Sequence, residues 1–231
     1  MDRDGYLDGW QRLHGGYDPR SNVLVRGWLA GAYVVARPCA AAGMSPDLVT
    51  LLGLLVAATA VPAAGAGGWW LLVAATVVVL AGLLDNVDGA VALLTGRATA
   101  WGQVLDAVAD RAGDLLLVAT LAVLGAPPSW CVAAGALTLV HEYLRARAGA
   151  VGMPGVGAVT IAERPTRVVI VAVACLGAGT WPTGAPFADW NWGTVSVALW
   201  LVAGVVGFAH LGVAVVRTTP RRFPTNGTTV G

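Results

Sequence analysis

Residues 85–110 read DNVDGAVALLTGRATAWGQVLDAVAD, and they are the most informative part of the chain. They place four carboxylates inside sequence that is otherwise apolar and of membrane-spanning length: Asp85, Asp88, Asp106 and Asp110. Asp85 and Asp88 share one helix face at i,i+3, and Asp106 and Asp110 share one at i,i+4. If one helix ends near Thr95 and the next begins near Thr99, the two pairs face each other at one depth, about 13 Å from the turn. Carboxylates are costly in hydrocarbon, so the cluster indicates a functional site that needs bound cations.

The composition of the chain is that of a membrane protein. Of 231 residues, 57% are hydrophobic and 12% are charged, and none is lysine. Apolar runs long enough to cross a bilayer recur along the chain, at about 48–66, 69–95, 102–125, 129–149, 166–181 and 194–216. We therefore predict an all-α, polytopic membrane protein with six transmembrane helices.

The segment before these runs is ambiguous. Residues 23–43 are apolar but interrupted by Arg26 and Arg37, and Arg37-Pro38 is expected to end any helix there. We favour an amphipathic helix lying in the membrane interface over a seventh span. The predicted organisation is an N-terminal cytoplasmic part (1–44), a membrane domain (45–217) and a disordered cytoplasmic tail (218–231).

The arginines predict the orientation. With six spans, all fourteen fall on or near the side that holds both termini, whereas the opposite loops hold none. By the positive-inside rule this side is cytoplasmic, so the carboxylates open to the cytoplasm. The other face carries an aromatic belt, formed by Trp69, Trp70, Trp130, Trp181, Trp190 and Trp192.

The spacing of the central stretch resembles the signature of the CDP-alcohol phosphatidyltransferase family, D-x-x-D-G-x-x-A-R-x8-G-x3-D-x3-D. Seven positions match, and the family arginine is replaced by Leu93. Residues 45–50 (SPDLVT) are similar to the S-P-N-x-x-T that opens the family's first span. The basic segments 143–148 and 163–167 look like those of bacterial phosphatidylinositol-phosphate and phosphatidylglycerophosphate synthases.

The resemblance implies transfer of a phosphatidyl group from CDP-diacylglycerol to an alcohol, with release of CMP. It assigns two divalent cations, Mg²⁺ or Mn²⁺, to the four aspartates, with Asp110 also acting as general base; oxygen-only ligands suit these hard ions. It assigns the CDP pocket to Asp47, Thr50, Asp88, Gly89, Ala92 and Gly102. Arg97, one turn beyond Leu93, is the candidate to replace the missing arginine.

The alcohol is predicted from arginines, because guanidinium groups bind phosphate bidentately. The candidate acceptor residues are Arg145, Arg147, Arg164, Arg167 and His210. They favour glycerol 3-phosphate or a similar phosphorylated alcohol; His210 stands where inositol-phosphate synthases carry an arginine. Anchoring to anionic lipid is the other interpretation of these arginines.

Several alternatives stay open from the sequence alone. They are a cardiolipin synthase-like enzyme that uses phosphatidylglycerol, a membrane prenyltransferase, and a transporter with a carboxylate relay. The expected partners are CDP-diacylglycerol, a small alcohol, membrane lipids and a second copy of the chain. No nucleic-acid partner is expected.

Overall fold

The computed structural model describes residues 1–13, 16–153, 160–186 and 188–218. Within these residues all regular structure is helical, which confirms the all-α prediction: α1 (Arg3–Leu13), a 3₁₀ turn (Pro19–Ser21), α2 (Val23–Ala41), α3 (Pro46–Ala66), α4 (Trp70–Thr95), α5 (Ala100–Val123), α6 (Pro128–Ala150), α7 (Arg164–Thr180) and α8 (Trp192–Thr218). The predicted tail lies, from residue 219 onward, outside the described residues. The proposed domain boundaries stay predictions.

The hairpin between α4 and α5 forms where the sequence predicted it. Gly96 ends α4 in the left-handed conformation (φ 66°), which a glycine adopts without steric cost. Thr99 then caps α5, because its hydroxyl oxygen accepts a hydrogen bond from the Gly102 N–H at 2.9 Å. The turn therefore places the acidic face of α4 opposite the acidic face of α5.

The six predicted apolar runs coincide with helices α3 to α8, each boundary agreeing within two residues. Among the described helices, three are long and apolar enough to cross a membrane: α3, α4 and α8. Helices α5 and α6 carry several ionisable side chains, and α7 has 17 residues. Charged side chains lower the hydropathy of a helix whether or not the helix crosses a membrane. The count of six spans therefore stays a prediction.

The N-terminal part differs from expectation at Pro38. Helix α2 continues to Ala41, so the prediction that Arg37-Pro38 ends the helix was wrong. Pro38 lies in the last turn, where the helix loses only one N–H donor, and its own carbonyl accepts from the Ala42 N–H at 2.9 Å. Whether α2 lies in the membrane interface stays a prediction.

Helix α1 packs on α2 and α4 through a small apolar cluster. Tyr6 is buried and stacks on Tyr33, with ring centroids 5.5 Å apart, and burial raises the pKa of the Tyr6 phenol to about 12. This cluster includes Val87 and Val91 of α4, whereas the larger core cluster includes Val78. This N-terminal apolar cluster therefore packs along the part of α4 that carries the carboxylates, and the larger core cluster packs on the part of α4 before them.

Candidate active site

Three of the four acidic residues of α4 and α5 meet as the spacing predicted. Asp85, Asp106 and Asp110 each offer a carboxylate oxygen, and these oxygens lie within 4.8 Å of one another. Asp88 stands beside this group and is 5% exposed. Its Oδ2 accepts a 2.6 Å hydrogen bond from the Thr50 hydroxyl, and its Oδ1 accepts one from the Gly89 N–H.

These groups fit a hard divalent cation. All the ligands are carboxylate oxygens, which Mg²⁺ and Mn²⁺ prefer. Oδ1 of Asp110 is buried, and its close contact with Arg164 lacks hydrogen-bond geometry, so among the described residues this oxygen accepts no hydrogen bond. A cavity of about 10 Å³, lined in part by Thr50, Asp85 and Asp88, adjoins the cluster. It is of the size that holds one small ion or water.

Arg164 lies in this acidic cluster. Its Nε is 3.2 Å from Asp85 Oδ1, and its Nη1 is 2.8 Å from Asp110 Oδ1. The same Nη1 donates a 2.7 Å hydrogen bond to the Asp110 carbonyl oxygen. The sequence placed Arg164 with the acceptor arginines, but in the structure its guanidinium contacts the predicted metal ligands.

Several residues predicted for the CDP pocket contact one another where α3 meets α4 and α5. Thr50 is bonded to Asp88, and a Cβ added at Gly102 would lie 3.3 Å from Asp47 Oδ1, so the starts of α3 and α5 touch. A Cβ added at Gly89 would meet no atom of the described part of the chain within 4 Å. Gly89 therefore leaves open space beside Asp88, and close helix packing does not explain its presence.

The remaining predicted donor residues lie at the end of α4. Ala92 is half-buried, and its carbonyl accepts from the Arg97 N–H at 3.1 Å. The Arg97 side chain is exposed and makes no ion pair within the described ranges. Leu93 packs in the N-terminal apolar cluster, and a Cβ added at Gly9 would lie 3.4 Å from it. Leu93 thus serves to dock α1 on α4.

A second charged network joins α5, α6 and α7. Glu142 lies among three arginines, at 3.1 Å from Arg111, 3.1 Å from Arg167 and 3.8 Å from Arg145. Arg167 also pairs with the buried Asp114 at 2.6 Å. Two predicted acceptor residues, Arg145 and Arg167, therefore converge near one carboxylate.

The loop before α7 closes this network. Glu163 pairs with Arg145 at 2.6 Å and accepts a 2.9 Å hydrogen bond from the Thr160 N–H. Arg147 and His210 are exposed, and neither makes an ion pair among the residues that the structure describes. The structure thus brings Arg145 and Arg167 to one carboxylate, and among the described residues no ion pair links Arg147 or His210 to this network.

Sequence reasoning missed two contributors to the site. Glu163 was read only as part of a basic motif, although a carboxylate next to arginines signals a pairing partner. Gly113 was not singled out; a Cβ there would lie 2.7 Å from Arg164 Nη2. Its only signal is a glycine inside the charged part of a helix, where glycine costs about 1 kcal/mol relative to alanine.

Known proteins resemble this chain over most of its length. Residues 43–209 match the family model of CDP-alcohol phosphatidyltransferase. The phosphatidylinositol phosphate synthase of Mycolicibacterium smegmatis is 38% identical over 197 residues, covering 80% of this chain and 83% of the relative. The archaetidylinositol phosphate synthase of Aeropyrum pernix is 31% identical over 156 residues, covering 68% and 77%.

Solved structures of a related enzyme have a fold similar to that of this chain. The crystal structure of Mycobacterium tuberculosis phosphatidylinositol phosphate synthase with manganese and citrate superposes with a TM-score of 0.65 at 29% identity, covering 82% of this chain and 90% of that one. The same enzyme with CDP-DAG bound gives a TM-score of 0.62 at 30% identity, covering 80% and 92%. The chain belongs to the CDP-alcohol phosphatidyltransferase family of membrane enzymes.

Proposed function

We propose that this enzyme transfers the phosphatidyl group of CDP-diacylglycerol to a phosphorylated alcohol and releases CMP. The observation that carries the proposal is the position of Arg145 and Arg167 in a charged network that adjoins the carboxylate cluster through Asp110 and Arg111. Inositol phosphate is the first acceptor to test, because the similar enzymes are named for phosphatidylinositol phosphate. Glycerol 3-phosphate, which the sequence favours, is the second.

The donor is proposed to bind where α3, α4 and α5 meet. Asp47, Thr50 and Gly102 form one wall, and the open space beside Gly89 admits the pyrophosphate close to the backbone. Thr50 holds Asp88 in a fixed rotamer by the 2.6 Å hydrogen bond. A fixed carboxylate needs no rearrangement when the substrate binds, which favours catalysis.

Asp85, Asp88 and Asp106 are proposed to hold two divalent cations, with Asp110 contributing in part. When bound, such ions neutralise phosphate charge and help to align the attacking and leaving oxygens. Asp110 accepts the proton of the acceptor hydroxyl. At the same time the hydroxyl oxygen bonds to the phosphorus of the phosphatidyl group, and the bond from that phosphorus to the oxygen of the departing CMP breaks.

The acceptor site is proposed to include Arg145 and Arg167, with Arg147 and His210 at its edge. Charge asymmetry supports an arrangement of six spans with the site facing the cytoplasm, because the arginines fall on that side. A homodimer stays an expectation from the family resemblance.

The direct test is an acceptor panel. Purified enzyme is given CDP-diacylglycerol, Mg²⁺ and one acceptor at a time: inositol phosphate, glycerol 3-phosphate, inositol, serine or phosphatidylglycerol. Release of labelled CMP and the mass of the lipid product are measured. Turnover with a phosphorylated alcohol only would support the proposal, whereas turnover with an unphosphorylated acceptor only would refute it.

A further inference from the structure

The guanidinium of Arg164 occupies an unusual position for an acceptor ligand. It contacts Asp85 on α4 through Nε and Asp110 on α5 through Nη1, so a single side chain bridges the two helices that carry the acidic cluster. It is also held to the Asp110 backbone carbonyl at 2.7 Å. Its side chain is only 17% exposed, so solvent screens these contacts weakly.

The backbone of α5 makes room for this cation. A Cβ added at Gly113 would lie 2.7 Å from Nη2 and 3.3 Å from Nη1 of Arg164. Gly113 has ordinary helical geometry, so backbone conformation does not require glycine there. Gly113 therefore leaves space for the guanidinium, which lies against α5 opposite Asp85.

The carboxylates need a positive charge whether or not metal is present. Oxygens within 4.8 Å of one another repel strongly in a partly buried setting, and a cation tethered between them relieves the repulsion. Arg164 contacts Asp85 and Asp110, two of the three residues in that group. A bound cation would share these residues with the guanidinium.

We propose that Arg164, seated against Gly113, is a positioning residue that acts as a tethered counter-cation: it keeps the acidic helices assembled before metal binds. The inference rests on the proposed function through its metal site. Arg164 stabilises the metal-free cluster more than the metal-bound one, because the incoming cations take over the same charge. By thermodynamic linkage, loss of the guanidinium makes the metal-free protein less stable and its affinity for metal higher.

The test measures metal binding directly, apart from turnover. Full-length protein in detergent is titrated with Mn²⁺, and free Mn²⁺ is followed by electron paramagnetic resonance for wild type and for Arg164→Gln. The Kd for Mn²⁺ is expected to fall about 5- to 50-fold in the variant. Its melting temperature is expected to drop in EDTA and to return toward that of wild type in saturating Mn²⁺.

Two further variants separate the proposal from simple misfolding. Gly113→Ala keeps the charge but displaces the guanidinium, so it is expected to shift the Kd in the same direction. Arg164→Lys restores a charge and is expected to lie between Arg164→Gln and wild type. Arg20→Gln is the control, because Arg20 pairs with the exposed Asp8 and makes no ion pair with the acidic cluster among the described residues; its Kd is expected to match wild type.

Each result decides the question. An unchanged or weaker Mn²⁺ affinity in both Arg164→Gln and Gly113→Ala would overturn the counter-cation role. If wild type itself bound no Mn²⁺, the proposed metal site would fail, and this inference with it. Acceptor-dependent CMP release by wild type with an unshifted Kd in the variants would refute the inference alone.

Discussion

The ion pair of Asp114 and Arg167 provides the sharpest test of how the second network works. Both side chains are almost completely buried, and Nη1 of Arg167 lies 2.6 Å from Asp114 Oδ2. Arg167→Met removes one partner and leaves a buried carboxylate uncompensated, which costs about 3–5 kcal/mol of unfolding free energy. Arg111, at 3.4 Å from Asp114, compensates in part, so the lower end is expected.

The same pair can be removed together. In Asp114→Leu/Arg167→Met, Glu142 keeps Arg111 and Arg145, and Arg111 keeps Asp110, so no buried charge is left without a partner. Apolar replacements of buried pairs are often close to neutral. For a chain of this size about 1 kcal/mol shifts the melting temperature by roughly 2–4 °C. The single variant is therefore expected to melt about 6–12 °C below wild type, and the double variant to recover most of that loss.

The assay combines thermal unfolding in detergent with acceptor kinetics. Arg20→Ala, which removes exposed ion pairs to Asp8 and its neighbours, is the control and is expected to change the melting temperature little. A double variant as unstable as the single one would refute the energetic reasoning. A stable double variant with wild-type acceptor KM would show that Arg167 does not bind the acceptor.

Three further results are expected. Asp110→Asn should retain Mn²⁺ and donor binding while kcat falls about 10²- to 10⁴-fold; unimpaired turnover would remove its role as base. Thr50→Val should lower kcat/KM for CDP-diacylglycerol about tenfold or more, because the buried 2.6 Å hydrogen bond to Asp88 is lost; an equal value would mean that other contacts orient Asp88. Glu142→Gln should lower the KM for a phosphorylated acceptor, because three arginines lose a competing carboxylate. A raised KM would mean that Glu142 positions these arginines. Glu163→Gln, which removes a carboxylate paired with Arg145 alone, serves as the control.

The helices were largely predictable because their signals are local. Gly96 ends α4 and Thr99 caps α5, and both depend only on residues nearby in the sequence. Apolar runs in the sequence indicate α3 to α8. Pro38 shows the limit of such rules: a proline near a helix end removes one hydrogen bond, and the helix continues past it for three residues.

Side-chain partners were predictable only where both partners lie on the same hairpin. The meeting of Asp85 with Asp106 and Asp110 follows from helix periodicity on either side of one short turn. Leu93 could not be understood this way, because its partner is Gly9 on a helix more than eighty residues earlier. The sequence showed that Leu93 replaces the family arginine. It did not show that Leu93 packs against α1.

The class of the protein, its helices and most of the acidic cluster follow from the sequence, since these depend on composition and on spacings of three or four residues. The partners of the arginines follow from helix packing instead. Arg164 and Arg167 lie one helical turn apart on α7, yet one turns to Asp85 and Asp110 and the other to Asp114 and Glu142. The choice of partners by the two arginines depends on how α7 packs against α5 and on the space that Gly113 leaves. Neither can be predicted from residues close together in the sequence.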